Sequence, residues 1–156
     1  MVKPLPIRTG LTFEEYDVGQ TLSTPARTVT EADVVGFCAL SGDWNPLHSD
    51  AEFARRSAYG QRVAHGVLVM SIGIALVMRG GYLDGTAMAF RDIADWKFSR
   101  PVFIGDTISV HCTIIETRPM PRLGGGLVSM KAEIRNQRDE VVQRGTWGVL
   151  VKGSEA

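Results

Sequence analysis

Strict alternation is the first pattern along the chain. From Asp106 to Arg118, apolar Ile108, Val110, Cys112 and Ile114 interleave with Thr107, Ser109, His111 and Thr113, and a period of two places one face of a strand against a core and the other in water. Leu127 to Gln137 repeats the pattern, with Val128, Met130, Ala132 and Ile134 set against Ser129, Lys131, Glu133 and Arg135. Arg138-Asp139-Glu140 turns the chain into a last strand, Val141 to Lys152, which carries Trp147. Thr86 to Phe98 is a less regular strand, and Thr21 to Val29, with Pro25 inside it, suits an edge. Helical signals lie between. Thr30 ahead of Glu31, Ala32 and Asp33 puts a hydroxyl at the cap and acids in the first turn of a helix reaching about Leu40, with Val34, Phe37, Cys38 and Ser41 on its inner face. Asp50 caps a short helix from Ala51 to about Ser57 that turns Phe53 and Ala54 inward and Arg55 and Arg56 outward, and Gly60 ends it. Val63 to Met78 is the longest apolar run. It falls short of the ~20 residues of a membrane span, and a helix apolar nearly all round is one buried on several sides, so something must wrap it.

The order is a strand, two or three helices, and then four or so strands, an α+β pattern with helices segregated from an antiparallel sheet. One long buried helix inside a twisted antiparallel sheet is the hot-dog arrangement. The 156 residues suit one domain spanning 1–156. Residues 1–20, with two prolines and two glycines, read as an N-terminal arm over the surface, and Pro119 to Gly126, with two prolines and three consecutive glycines, reads as the most mobile loop. Seventeen basic side chains balance seventeen acidic ones, which leaves no overall surplus to attract nucleic acid or an anionic membrane. Cys38 and Cys112 stand far apart in apolar contexts and read as buried small hydrophobes. The start, Met-Val-Lys-Pro-Leu-Pro, lacks the apolar run of a signal peptide, so the cytoplasm is the expected location.

The chemistry concentrates between Phe37 and Gly66. Asp43 and His48 lie five residues apart with Gly42 before them and Pro46 between them, and both a glycine and an X-Pro step disfavour continuing a helix, which places the pair on a loop. A carboxylate and an imidazole there, followed by a helix beginning near His65-Gly66, can move protons beside an oxyanion site. The spacing alone is common in proteins with no catalytic use for it. Asn45 braces the turn, and Asp50 is a helix cap. His65 either lines the site or is a buried ring bonded to backbone. His111 belongs to a polar strand face. The intervals among Asp43, His48 and His65 match no familiar zinc pattern, so no metal is expected.

Ser41-Gly42-Asp43-Trp44-Asn45-Pro46-Leu47-His48-Ser49-Asp50, then Phe53-Ala54, then Val63-Ala64-His65-Gly66, then Pro101-Val102-Phe103-Ile104-Gly105-Asp106-Thr107 together resemble the MaoC-like dehydratase family, whose members include (R)-specific enoyl-CoA hydratases. The resemblance implies a hot-dog fold, dimers or higher homo-oligomers paired through sheet edges, and a trans-2-enoyl thioester held near the interface, in the manner of the short homodimeric members. It implies catalytic roles for Asp43 and His48, an oxyanion-hole N–H at Gly66, and no cofactor other than the coenzyme A that carries the substrate. Hydration requires a base for water, an acid for the α carbon and a donor for the thioester oxygen. An imidazole serves either proton role near neutrality, and a free N–H at a helix start offers partial positive charge. Ser71 lies along the buried helix where some relatives place a hydroxyl. Trp44 is bulky for its place, and Val67 stands where methionine is frequent. Arg55, Arg56, Arg62, Lys97, Arg100 and Arg122 are candidates for the coenzyme A phosphates. Other readings are a dehydratase of a branched or dicarboxylic hydroxyacyl-CoA or of an acyl-carrier-protein thioester, a thioesterase, and a non-catalytic acyl-CoA-binding module.

Overall fold

The computed structural model describes residues 10–154. Two short strands, β1 (Thr21–Ser23) and β2 (Arg27–Thr28), lead into four helices, α1 (Glu31–Ser41), α2 (Pro46–Ser49), α3 (Ala51–Arg55) and α4 (Gly66–Arg79). Four long strands follow: β3 (Ala87–Phe98), β4 (Thr107–Met120), β5 (Gly125–Arg135) and β6 (Val141–Lys152). All pair antiparallel in the order β1-β4-β5-β6-β3, with β2 also on β4. This is the α+β hot-dog architecture, a sheet curled around a central helix. No described helix is long and apolar enough to cross a membrane.

The alternating strands bury the residues their pattern nominates. Ile108, Val110, Cys112 and Ile114 of β4 and Val128, Met130, Ala132 and Ile134 of β5 all lie in the core, joined by Trp147 and Val149 of β6. Against them α4 sets Leu68, Val69, Ile72, Leu76 and Val77. At Gly73 an added Cβ would stand 2.6 Å from Ile134 Cδ1 and 3.4 Å from Val110 Cγ2. A side chain at that position would force Ile134 to move in a close-packed core. Both thiols are buried; enclosure pushes that of Cys112 up to about 12.

Several expectations need correction. The segment from Gly10 to Gln20 runs mostly exposed over the surface but is pinned to the body: Gly10 and Tyr16 are buried, and the Tyr16 hydroxyl donates to the Tyr82 carbonyl at 2.7 Å. The rest of that arm lies outside the described residues. Pro119 and Met120 extend β4, Pro121–Leu123 forms a 3-10 turn, and Gly125 and Gly126 pair with β6, so the glycine run is part of a hairpin. An added Cβ on Gly126 would collide with the Phe13 ring, so close packing is what that position requires. Phe53 is 44% exposed because α3 ends at Arg55, and only Ala54 of that helix is buried. Nor is α4 covered all round: Val67, Ser71 and Ala75, four residues apart, form an exposed stripe.

Replacing Gly73 with Val should cost about 1–3 kcal/mol through overpacking against Ile134 and Val110. Urea unfolding would show a lower midpoint with an unchanged slope.

Candidate functional site

The site is assembled from three short stretches whose local structure is dictated by sequence. Thr30 and Asp33 form a reciprocal capping box, with Asp33 N–H donating to Thr30 Oγ1 at 3.3 Å and Thr30 N–H to Asp33 Oδ2 at 2.8 Å, and this starts α1. Gly42 stops it by taking φ 77°, the left-handed conformation that suits glycine at a helix end. The chain then turns at Asp43 and Trp44. Asn45 caps α2 by accepting the Leu47 N–H at 3.0 Å, and Pro46 occupies its first turn, where a missing N–H costs nothing. His48 is therefore on a helix and not on a loop as its sequence context implied. The proline that argued against helix continuation begins a new one. Asp50 caps α3 through Glu52 and Phe53 N–H groups, as expected.

Residues 63–66 bring the third stretch in. Val63 bridges Phe103, and Ala64 N–H donates to the Val102 carbonyl at 2.8 Å, so an extended segment runs straight into α4. His48 Nδ1 lies 2.7 Å from the Val63 carbonyl. A carbonyl only accepts, so Nδ1 carries the hydrogen and Nε2 of the neutral ring is left bare. His65 is 3% exposed, with its ring stacked on His48 at 3.7 Å between centroids and its Nε2 3.0 Å from the Asp43 carbonyl. It is both things the sequence allowed, a buried backbone-bonded ring and a member of the site. The donor atoms of Asp43, His48 and His65 all lie within 4.8 Å of one another. The sequence intervals had hidden this trio. It is poorly disposed to chelate an ion: in-plane lone pairs of two stacked rings run side by side instead of converging, and His65 Nε2 already faces a carbonyl oxygen.

Gly66 opens α4, and its cap residue His65 makes no side-chain bond to the first-turn N–H groups. Those donors have no intrahelical acceptor. A cavity of about 610 Å³ lies beside them, with His48, Gly66, Val67, Phe98 and Arg100 among its lining residues. Phe98 packs so tightly on Gly66 that a Cβ there would meet its Cδ1 at 2.6 Å. Sequence reasoning missed Gln143. It is 2% exposed, donates Nε2–H to the Gly66 carbonyl at 2.9 Å, and accepts the Trp96 Nε1–H at 3.1 Å. The available signal was a glutamine directly after two valines at the start of the last strand. Ser71 does not join the site: its hydroxyl is exposed and returns to the Val67 carbonyl at 2.9 Å. Trp44 is exposed beside Asp43. Among the candidate cations, Arg62 is held by Glu31 and Arg55 by Glu52, whereas Arg100 stands at the cavity with Glu140 3.7 Å away. Burial first, and the Asp43 carboxylate second, raise the Cys38 thiol above its ordinary range.

Known proteins share the sequence pattern and the fold of this chain. Protein MaoC of Klebsiella aerogenes is 41% identical over 101 residues, 65% of this chain, although the match spans only 30% of that longer protein. A 3-hydroxybutyryl-CoA dehydratase of Methylorubrum extorquens is 34% identical over 76% of this chain and 73% of its own length. An (R)-specific enoyl-CoA hydratase of Rhodospirillum rubrum is 35% identical over 65% and 68% respectively. Among solved structures, a monoamine oxidase regulatory protein from Archaeoglobus fulgius superposes with a TM-score of 0.85 at 35% identity, covering 94% of this chain and 97% of that one. The MaoC-like domain matches residues 14–131, which include the α1–α2 turn, the start of α4 and the sheet strands β1 to β4, and the chain belongs to that family.

Proposed function

We propose that the protein hydrates trans-2-enoyl-CoA to (R)-3-hydroxyacyl-CoA and catalyses the reverse dehydration. The observation that carries this reading is the convergence of the Asp43 and His48 donor atoms, together with His65, within 4.8 Å beside a helix start whose first N–H groups are unspent. The names borne by the Methylorubrum and Rhodospirillum relatives support the same class of reaction. In this scheme one water sits between the Asp43 carboxylate and the bare His48 Nε2 with its oxygen toward the β carbon. As the C–O bond forms, the carboxylate takes a proton from the water. The enolate charge collects on the thioester oxygen, opposite the Gly66 N–H. The pair then returns a proton to the α carbon on the same face, so that water is added across the double bond with nothing left over. Apolar walls at Leu47, Val63, Val67, Val69 and Val102 suit an acyl chain.

The edge of the sheet supports a homodimer. Strand β3 is the outer strand beside β6, and it exposes Met88, Phe90, Ile93 and Phe98. An unpaired edge carrying apolar side chains is a pairing surface, and pairing it with a second copy places the Phe98 end of the cavity at the interface. Sedimentation should give about twice the 17.0 kDa chain mass, and Ile93→Glu should shift it toward the monomer.

Removing a positioned proton-transfer group costs roughly 10² to 10⁴ in rate. Asp43→Asn and His48→Ala should fold with near-normal melting temperatures and hydrate crotonyl-CoA more slowly by that factor, read as the loss of enoyl absorbance. Turnover like that of the parent in either variant would reject the assignment. A panel of branched, dicarboxylic and acyl-carrier-protein thioesters identifies the preferred acyl group and carrier.

A further inference from the structure

One buried side chain touches every part of the proposed machinery. His65 stacks on the His48 ring with 29° between planes, reaches the Asp43 carbonyl with Nε2, and lies 4.0 Å from Asp43 Oδ2 through the same nitrogen. Its own peptide unit supplies the Gly66 N–H. Phe37 backs the ring at 4.8 Å between centroids, and Cys38 Sγ lies 3.6 Å from Nε2.

Its arrangement is costly for a residue that only fills space. The Asp43 carbonyl accepts, so Nε2 bears the hydrogen in the neutral ring. That leaves Nδ1 as the unprotonated nitrogen, and Nδ1 is buried with no partner among the described residues. Such a nitrogen weakens a fold that phenylalanine or leucine would fill without penalty. The side chain also occupies the cap position of α4 while making no cap bond, where serine, threonine or aspartate would satisfy the first turn. Both losses are accounted for if the ring must face the other way. A flat surface is needed under His48 and an N–H is needed at Asp43, and imidazole is the side chain that presents both from one site.

We infer that His65 is a positioning residue that clamps Asp43 and His48 into one geometry: its ring fixes the plane of His48, and its Nε2–H fixes the backbone of Asp43. Its hydrogen bond goes to the Asp43 carbonyl and not to the carboxylate that takes the proton. The inference rests on the acid-base reading of Asp43 and His48, and it makes the spacing of the pair a property of a third side chain. Misplacing such groups by about 1 Å can cost on the order of 10²-fold in rate.

Two variants divide the ring's two contacts. His65→Phe keeps a flat ring beneath His48 and loses the N–H donor, whereas His65→Gln keeps a donor and loses the ring. With crotonyl-CoA, each should retain a KM within about threefold of the parent while kcat falls by roughly 10- to 100-fold, the signature of a contact that matters in the transition state and not in substrate binding. Nitrogen-15 spectra of the parent protein should show His65 protonated at Nε2 and bare at Nδ1, with His48 the reverse. The inference is overturned by an active parent whose folded variants keep full kcat, by losses confined to KM, or by a His65 protonated at Nδ1 alone. An inert parent would instead overturn the acid-base reading, so the two failures are distinguishable. If His65→Phe does not fold, His65→Gln and the spectra decide the matter.

Discussion

The lock between α4 and the sheet is the constraint on which the rest depends. Gly73 sits close enough to Ile134 that an added Cβ would push the Ile134 side chain aside, while Leu68, Val69, Ile72, Leu76 and Val77 fill the trough on either side. In so dense a contact the helix can neither roll nor slide by part of a turn without opening voids. Its first residue is thereby set in space. Gln143 holds the Gly66 carbonyl from β6 and takes the Trp96 indole N–H from β3, so the first turn is tied to two strands by hydrogen bonds as well as by packing. The room for Trp96 is made at Gly145, where a Cβ would stand 2.6 Å from the indole. The position of the proposed oxyanion donor is therefore inherited from the core.

Most of the framework was legible because a period of two survives any tertiary context. Ile108 to Ile114 and Val128 to Ile134 have alternating polar neighbours, and a strand buried on one face has no other way to satisfy both sets. The capping residues Thr30 and Asp50 were equally plain, since their hydrogen bonds are local. What sequence reasoning missed depended on contacts distant along the chain. Glycines 124–126 resemble a flexible tip until Phe13 is seen against Gly126 and β6 beside Gly125. Pro46 reads as a helix breaker, and whether it ends one helix or begins another was decided by Gly42 and Asn45 around it. His65 was left between two roles because sequence places it 17 residues from His48, whereas the bonds of Val63 to the Leu47 carbonyl and the His48 ring bring the two imidazoles into contact. Gln143 gave only the faint signal of one polar residue on a core face.

The bare surfaces of the chain lie close to this machinery. The exposed stripe of α4 starts at Val67, one residue past the helix start, and β3 ends at Phe98 on the Gly66 backbone. Strand β3 also slips register three times against β6, between Ala87 and Ala89, Phe90 and Asp92, and Ala94 and Lys97. Irregularities of this kind add local twist and re-aim side chains. They carry the strand from the far end of the sheet to the cavity mouth while its middle stays unpaired on one side.

The contact between Phe98 and Gly66 has a consequence for how acyl preference can diverge. The polar side chains of the candidate site come from the turn after α1, from α2 and from the run into α4, whereas the ring that closes over the helix start belongs to a border strand. In the proposed scheme, size selection and proton handling are thus carried by separate stretches of chain. A change at residue 98 can therefore resize the chamber while leaving the carboxylate and both imidazoles where they stand.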